Sequence, residues 1–156
     1  MMETVQSLLV DIFPDIKFEK PIHAIHNYAV KEYHFCEEVM IHRKGAIRAG
    51  AGEPGIIPGS QGSPSYIVKG RGNPESFFSC AHGAGRCLGR KQAQKRLDLK
   101  EERRGLERLG ILHSVHRKKD LDEAPGAYKD IEMVMENQVD LVEIIEKLQP
   151  IAVIKG

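Results

Sequence analysis

An α+β fold is predicted by three observations: segments whose apolar residues recur at helical spacing, a middle region of short apolar runs between turn residues, and glycine concentrated in that region. With 156 residues, 41% hydrophobic and 29% charged, the chain is long enough to bury a core as one unit spanning residues 1–156. No internal repeat, low-complexity segment or domain boundary breaks it.

At the N-terminal end, "ETVQSLLVDIF" carries Val5, Leu8, Leu9 and Ile12 at helical spacing, and Pro14 closes the helix. "EVMIHRKGAIRAG" alternates around Gly45 like a hairpin, and "GIIPGS" and "SYIVKG" read as short strands. Of the 15 glycines, 11 lie from Gly45 to Gly89, a density that means many turns and a loop cluster able to present binding groups. A second helix is expected in "DLKEERRGLERLG", with Asp98 as N-cap, Glu101 as its capping-box partner and a stop at Gly110. "ILHSVHR" alternates like a strand. "DIEMVMENQVDLVEIIEKL" puts Ile131, Val134, Met135, Val142 and Ile145 on one stripe, read as two short core-packing helices broken near 137–140, and "IAVIKG" as a short final strand.

The net charge of +1 conceals an asymmetry. Residues 86–119 hold 12 Lys/Arg against 4 Asp/Glu, whereas residues 120–148 hold 2 against 9. The basic segment suits an anionic polymer; equally, its charges solvate helix faces or pair with the acidic segment. Cys36, Cys80 and Cys87 form no CxxC pair, which argues for a reducing compartment, and no apolar run is long enough to span a membrane. The expected location is the cytoplasm.

Among the seven histidines, His34, His42, His113 and His116 fit surface or partly buried structural roles. His23 and His26 share a face if "PIHAIHNYAV" is helical and oppose each other if it is a strand. His82 differs, because small residues surround it in "SCAHGAGRCLGR" and arginines follow. Neutral imidazole in such a loop can attack the α-phosphorus of a nucleotide and form a phosphoramidate, given groups that neutralise the phosphate oxygens. The alternative is a histidine that fills a tight turn.

"AIHNYAVKEYHF", "RKGAIRA", "GIIPGSQGSPSYIVKG", "NPESFFSCAHGAGR", "EAPGAYKDI" and the terminal "VIKG" occur in the order and nearly the spacing of the C-terminal part of the RtcB family of RNA-splicing ligases, which the chain resembles from about residue 22 to 156. The resemblance implies the family's α+β architecture, with mixed sheets and helices packed outside. It implies that His82 takes GMP from GTP, that His26 is a manganese ligand with Asn27 near the nucleotide, and that Pro58, Gly59, Ser60, Gln61 and Ser65 contact the nucleotide. Gln61 stands where methionine is commoner. Gly83, Ala84 and Gly85 would line the phosphate or ribose, Tyr128 would pack on guanine and Lys155 would reach the base, while Arg86 and Arg90 would take RNA phosphate. The implied reaction joins an RNA 2′,3′-cyclic phosphate or 3′-phosphate to a 5′-hydroxyl, with GTP and Mn²⁺ as cofactors.

Full-length members also carry an upstream aspartate, a cysteine and two further histidines that complete the metal sites, with an asparagine and a glutamate near the nucleotide. Those motifs are absent from this sequence. The expectation is therefore a truncated or split ligase, inactive alone: either its upstream half comes from a separate polypeptide, or the chain is a fragment of a longer gene product. The alternatives are a guanine-nucleotide or RNA-binding module without chemistry, or a partner subunit of an intact ligase.

Overall fold

The computed structural model describes residues 2–154. Helix α1 (Met2–Ile12) leads into an extended stretch and then a hairpin of β1 (Asn27–His34) and β2 (Glu37–Lys44), registered from Asn27↔Lys44 to His34↔Glu37. Two left-handed residues, Phe35 (φ 50°) and Cys36 (φ 66°), make its turn. The expected hairpin around Gly45 is thus displaced: Gly45 is the kink between β2 and β3 (Ala46–Arg48), and β3 pairs with β6 (Ser79–Ala81) in a separate sheet. A chain leaving one sheet and entering another through glycine gives the same sequence texture as a hairpin.

The third sheet has order β4-β5-β7, from Pro54–Ile57, Ser65–Gly70 and Val142–Leu148. The class is α+β as expected. Among the described residues every strand pair in a sheet is antiparallel, and the parallel contact is an isolated bridge, Leu112↔Ala152. Of the described residues of "ILHSVHR" and "IAVIKG", expected to be strands, only these two make a bridge, and positions 155 and 156 lie outside the described residues. Ile111 and Val115 are buried, so the alternation in "ILHSVHR" comes from one-sided packing, without a neighbouring strand to pair.

Helices α2 (Arg90–Arg96) and α3 (Leu99–Arg108) follow β6. Asp98 caps α3 by accepting from the N–H groups of Lys100 and Glu101 at 2.8 and 3.0 Å, and Gly110 at φ 69° follows its end. After 3₁₀ turns at Lys118–Glu123 and Pro125–Ala127 comes α4 (Ile131–Glu136). The second of the two helices expected here is instead β7. Its β-branched Val142, Ile144 and Ile145 favour a strand, and β5 offers the edge on which it pairs.

One core cluster joins Ile47, Ile57, Tyr66, Val68, Cys80 and Ala84 to Ile131, Met135 and Val142. Ile131, Met135 and Val142 are therefore core residues as the stripe implied, while Ile145 is 56% exposed. A second cluster holds Leu106, Ile111, Val115, Leu121 and Ala124. The β3/β6 ladder lies on the first, and the loop after β6 carries His82.

Candidate active site

The ladder decides where His82 sits. Ala49 N–H donates to Phe78 O at 2.7 Å, and the pairs Arg48↔Ser79, Ile47↔Cys80 and Ala46↔Ala81 continue toward the next position, Gly45 opposite His82. There a side chain takes the rung: His82 Nδ1 lies 2.8 Å from Gly45 O. A carbonyl only accepts, so Nδ1 carries the proton and donates. In the neutral ring the lone pair is then on Nε2. Gly45 also donates its N–H to His26 O at 3.1 Å, and the His26 and His82 rings stack with centroids 5.1 Å apart and planes 22° apart. One glycine in a left-handed conformation (φ 73°) thereby fixes both histidines. The stretch holding His23 and His26 is neither helix nor strand, and both residues are exposed.

Past His82 the chain lies on the turn after β4. Ala84 N–H donates to Pro58 O at 3.0 Å, and a Cβ on Gly83 would stand 2.9 Å from the same oxygen, so that position must be glycine for the two loops to touch. Serine hydroxyls hold the Pro58 to Ser65 turn: Gly59 N–H donates to Ser65 Oγ at 3.2 Å, Ser60 N–H to Ser63 Oγ at 2.7 Å, and the Ser60 and Ser63 hydroxyls are 2.8 Å apart. Gln61 Oε1 is buried without a hydrogen-bond partner, and the residue lines a cleft of about 640 Å³ with Ser114, Val115, His116 and Arg117. Asn27 is exposed at the start of β1, opposite Lys44.

Gly85 O accepts Lys129 N–H at 3.0 Å, bringing in the segment of Tyr128. Arg86 donates to Glu123 Oε2 at 2.9 Å, to Tyr128 Oη at 3.2 Å, to Leu88 O and to Asp122 O, with its guanidinium 5.0 Å from the Tyr128 ring centroid. Tyr128 donates its hydroxyl to Glu123 Oε2, and Arg90 pairs with the other oxygen at 2.9 Å. Burial pushes the Glu123 carboxyl up, but the Tyr128 hydroxyl and the two arginines outweigh it and leave it below its ordinary value. Burial, then Glu123, raises the Tyr128 phenol. Both arginines expected at RNA phosphate are thus ion-paired to Glu123, Arg90 at the surface with its side chain 71% exposed.

Pro58, Gly83 and Ala84 therefore meet beside His82, and Tyr128 meets Arg86 one turn further on. Lys155 lies outside the described residues. His26 is the one expected metal ligand, and among the described residues no group of three or more His, Cys, Asp or Glu is placed to hold a metal ion. Sequence reasoning missed Gly45, read as a hairpin tip, and Glu123, one acid in an acidic run. The polar residue breaking the apolar stripe near 137–140 was a usable signal for a third, Gln138, which donates and accepts inside the core.

Fold and site define an α+β chain that presents a histidine with one bare nitrogen on a glycine-rich turn, a candidate nucleophile. The chain belongs to the RtcB family, whose sequence model, described as "tRNA-splicing ligase RtcB", matches residues 1–156. Over its whole length it is 44% identical to the RNA-splicing ligase RtcB of Escherichia coli strain K12 and to RtcB1 of a second E. coli strain. It is 34% identical, over 99% of its length, to the tRNA-splicing ligase RtcB of Methanococcus maripaludis. The chain spans 39% of the length of the two E. coli proteins and 37% of the archaeal one.

Proposed function

We propose that this chain is the nucleotide-accepting part of an RNA ligase that joins 3′-phosphate or 2′,3′-cyclic phosphate ends to 5′-hydroxyl ends, with GTP as guanylyl donor, in the cytoplasm. The observation that carries the reading is the Gly45 carbonyl on His82 Nδ1, which leaves Nε2 as the nucleophile.

In the proposed step the Nε2 lone pair attacks the α-phosphorus of GTP, the bond to the bridging oxygen breaks, and pyrophosphate leaves with that electron pair. Nδ1 keeps its proton throughout, so the ring becomes an imidazolium whose charge faces the Gly45 carbonyl oxygen. A protonated ring is also the better leaving group when GMP passes to an RNA 3′-phosphate. The N–H groups of Gly83 and Gly85, on either side of the Ala84 N–H taken by Pro58 O, are the backbone donors offered to phosphate oxygens.

Manganese is proposed as the metal, with His26 as one ligand. One imidazole is not a metal site, so the other ligands must come from a polypeptide segment beyond those described, and no step above is routed through the ion. We propose that the chain is inactive alone and works with an upstream half supplied separately.

The test is intact-mass measurement after incubation with GTP and Mn²⁺, with and without the upstream part of a full-length relative. A GMP-sized gain in the wild type and none in His82→Ala is expected once the upstream part is present. An adduct that survives His82→Ala would place the nucleophile elsewhere and end the assignment.

A further inference from the structure

Alternate residues of β6 point their N–H groups away from β3, because Ala49 N–H bonds Phe78 O and the antiparallel alternation runs on from there. The first such group, Ser79 N–H, donates to Ser76 Oγ at 3.2 Å. The second, Ala81 N–H, belongs to the residue directly before His82, and it donates to Gln138 Oε1 at 3.0 Å across 57 residues of sequence.

Gln138 is 3% exposed and, among the described residues, one of three buried polar or charged ones, with His34 and Arg43. Its backbone is locked in the turn from α4 to β7: its N–H donates to Met135 O at 3.2 Å, and its carbonyl accepts from Leu141 and Val142 at 3.0 and 3.1 Å. Its Nε2 donates to Met135 Sδ at 3.3 Å, which orients the amide with Oε1 toward β6. Side chain and backbone are thus both fixed, and the fixed acceptor meets the last free N–H before the candidate nucleophile.

We propose that Gln138 is a positioning residue: by holding Ala81 N–H it sets the end of β6 so that His82 Nδ1 reaches the Gly45 carbonyl and Nε2 stays bare. The proposal rests on the reading of His82 as nucleophile. Without the Oε1 acceptor, the half-buried Ala81 N–H loses its partner, and the strand relieves it by twisting at the residue that carries His82.

The experiment follows the two ring nitrogens of His82 by long-range ¹H–¹⁵N correlation of the labelled chain at alkaline pH, without GTP or metal, the ring being assigned by its loss in His82→Ala. In the wild type Nδ1 resonates as a protonated and Nε2 as an unprotonated nitrogen. Gln138→Met, close in volume but without the amide, brings the two shifts together, whereas Gln138→Glu, which keeps an oxygen there, restores their separation. Should the Met variant not fold, Gln138→Asn, one methylene too short, gives the same readout. Val68→Ala, which thins the same core cluster away from β6, lowers the melting temperature and leaves the shifts apart. Full separation in the folded Met or Asn variant would reduce Gln138 to core packing and overturn the proposal. A missing GMP adduct in a wild type with well-separated shifts, once the upstream part of a full-length relative is added, would count against the ligase reading alone.

Discussion

Gly45 serves two contacts and a turn with one backbone unit: its carbonyl orients His82, its N–H holds His26 O, and its φ of 73° turns the chain from β2 into β3. A Cβ there would lie 3.7 Å from the His82 ring, which is ordinary contact, so the cost of Gly45→Ala is conformational. Urea unfolding of that variant is expected to show a loss of about 1–2 kcal/mol. Cys36 is the converse case, an exposed side chain at φ 66° in a two-residue turn that favours glycine. Cys36→Gly is expected to gain roughly 1 kcal/mol in the same measurement. At this scale the sequence shows which residue types matter and hides their partners. His82 stood out by its small neighbours, but the 37 residues separating it from Gly45 are bridged only by the β3/β6 pairing, which no local pattern reveals.

Between elements, the strongest coupling is a buried guanidinium. Arg43 on β2, 2% exposed, donates to both oxygens of Glu32 on β1 at 2.7 and 2.9 Å, to Tyr28 Oη at 3.0 Å, and to Ser79 Oγ and Phe77 O at the entry to β6. Glu32 further accepts from His34 Nε2 and pairs with Arg48 at 2.7 Å. The Arg43 hydrogen bonds lead in holding the Glu32 carboxyl at about 2 against an ordinary 4.5. A carboxyl depressed by folding contributes stability that is complete above the ordinary value and is lost as the pH falls through the folded one. Stability should therefore drop between pH 4.5 and 2 by an amount on the order of 3 kcal/mol from this group, and Glu32→Gln should flatten that part of the profile in acid titrations followed by circular dichroism. Arg43→Met leaves Glu32 buried with fewer partners, and a loss of about 3–5 kcal/mol is expected at neutral pH. Element types were legible where capping spoke for them, as at Asp98. They were not where an apolar stripe fits either period: Val142 to Leu148 reads as helix from sequence and becomes a strand because it fills the edge of β5 that β4 leaves open.

At the scale of the whole molecule, the two core clusters draw nothing from α1. Its apolar stripe, legible in the sequence as helical, faces solvent, with Val5, Leu8 and Ile12 at 50%, 57% and 66% exposure. A stripe reports a helix that needs a partner surface without saying where that surface is, and here the described chain does not offer one. The outer residues of β7 repeat the pattern, with Ile144 and Ile145 half exposed on a strand that pairs through one edge. Hydrophobic stabilisation scales with area removed from water, so a helix with no buried residue adds little to this fold. Deleting residues 2–16 is therefore expected to leave the urea midpoint nearly unchanged, within about 0.5 kcal/mol, while reducing binding of a hydrophobic dye. If the chain works with an upstream part, as proposed, the same deletion is expected to weaken capture of that part of a full-length relative, because it removes apolar surface that the described residues leave exposed. A midpoint lowered by 2 kcal/mol or more would mean that α1 docks on this chain's own core in solution, and the exposed stripe would then be no guide to a second polypeptide.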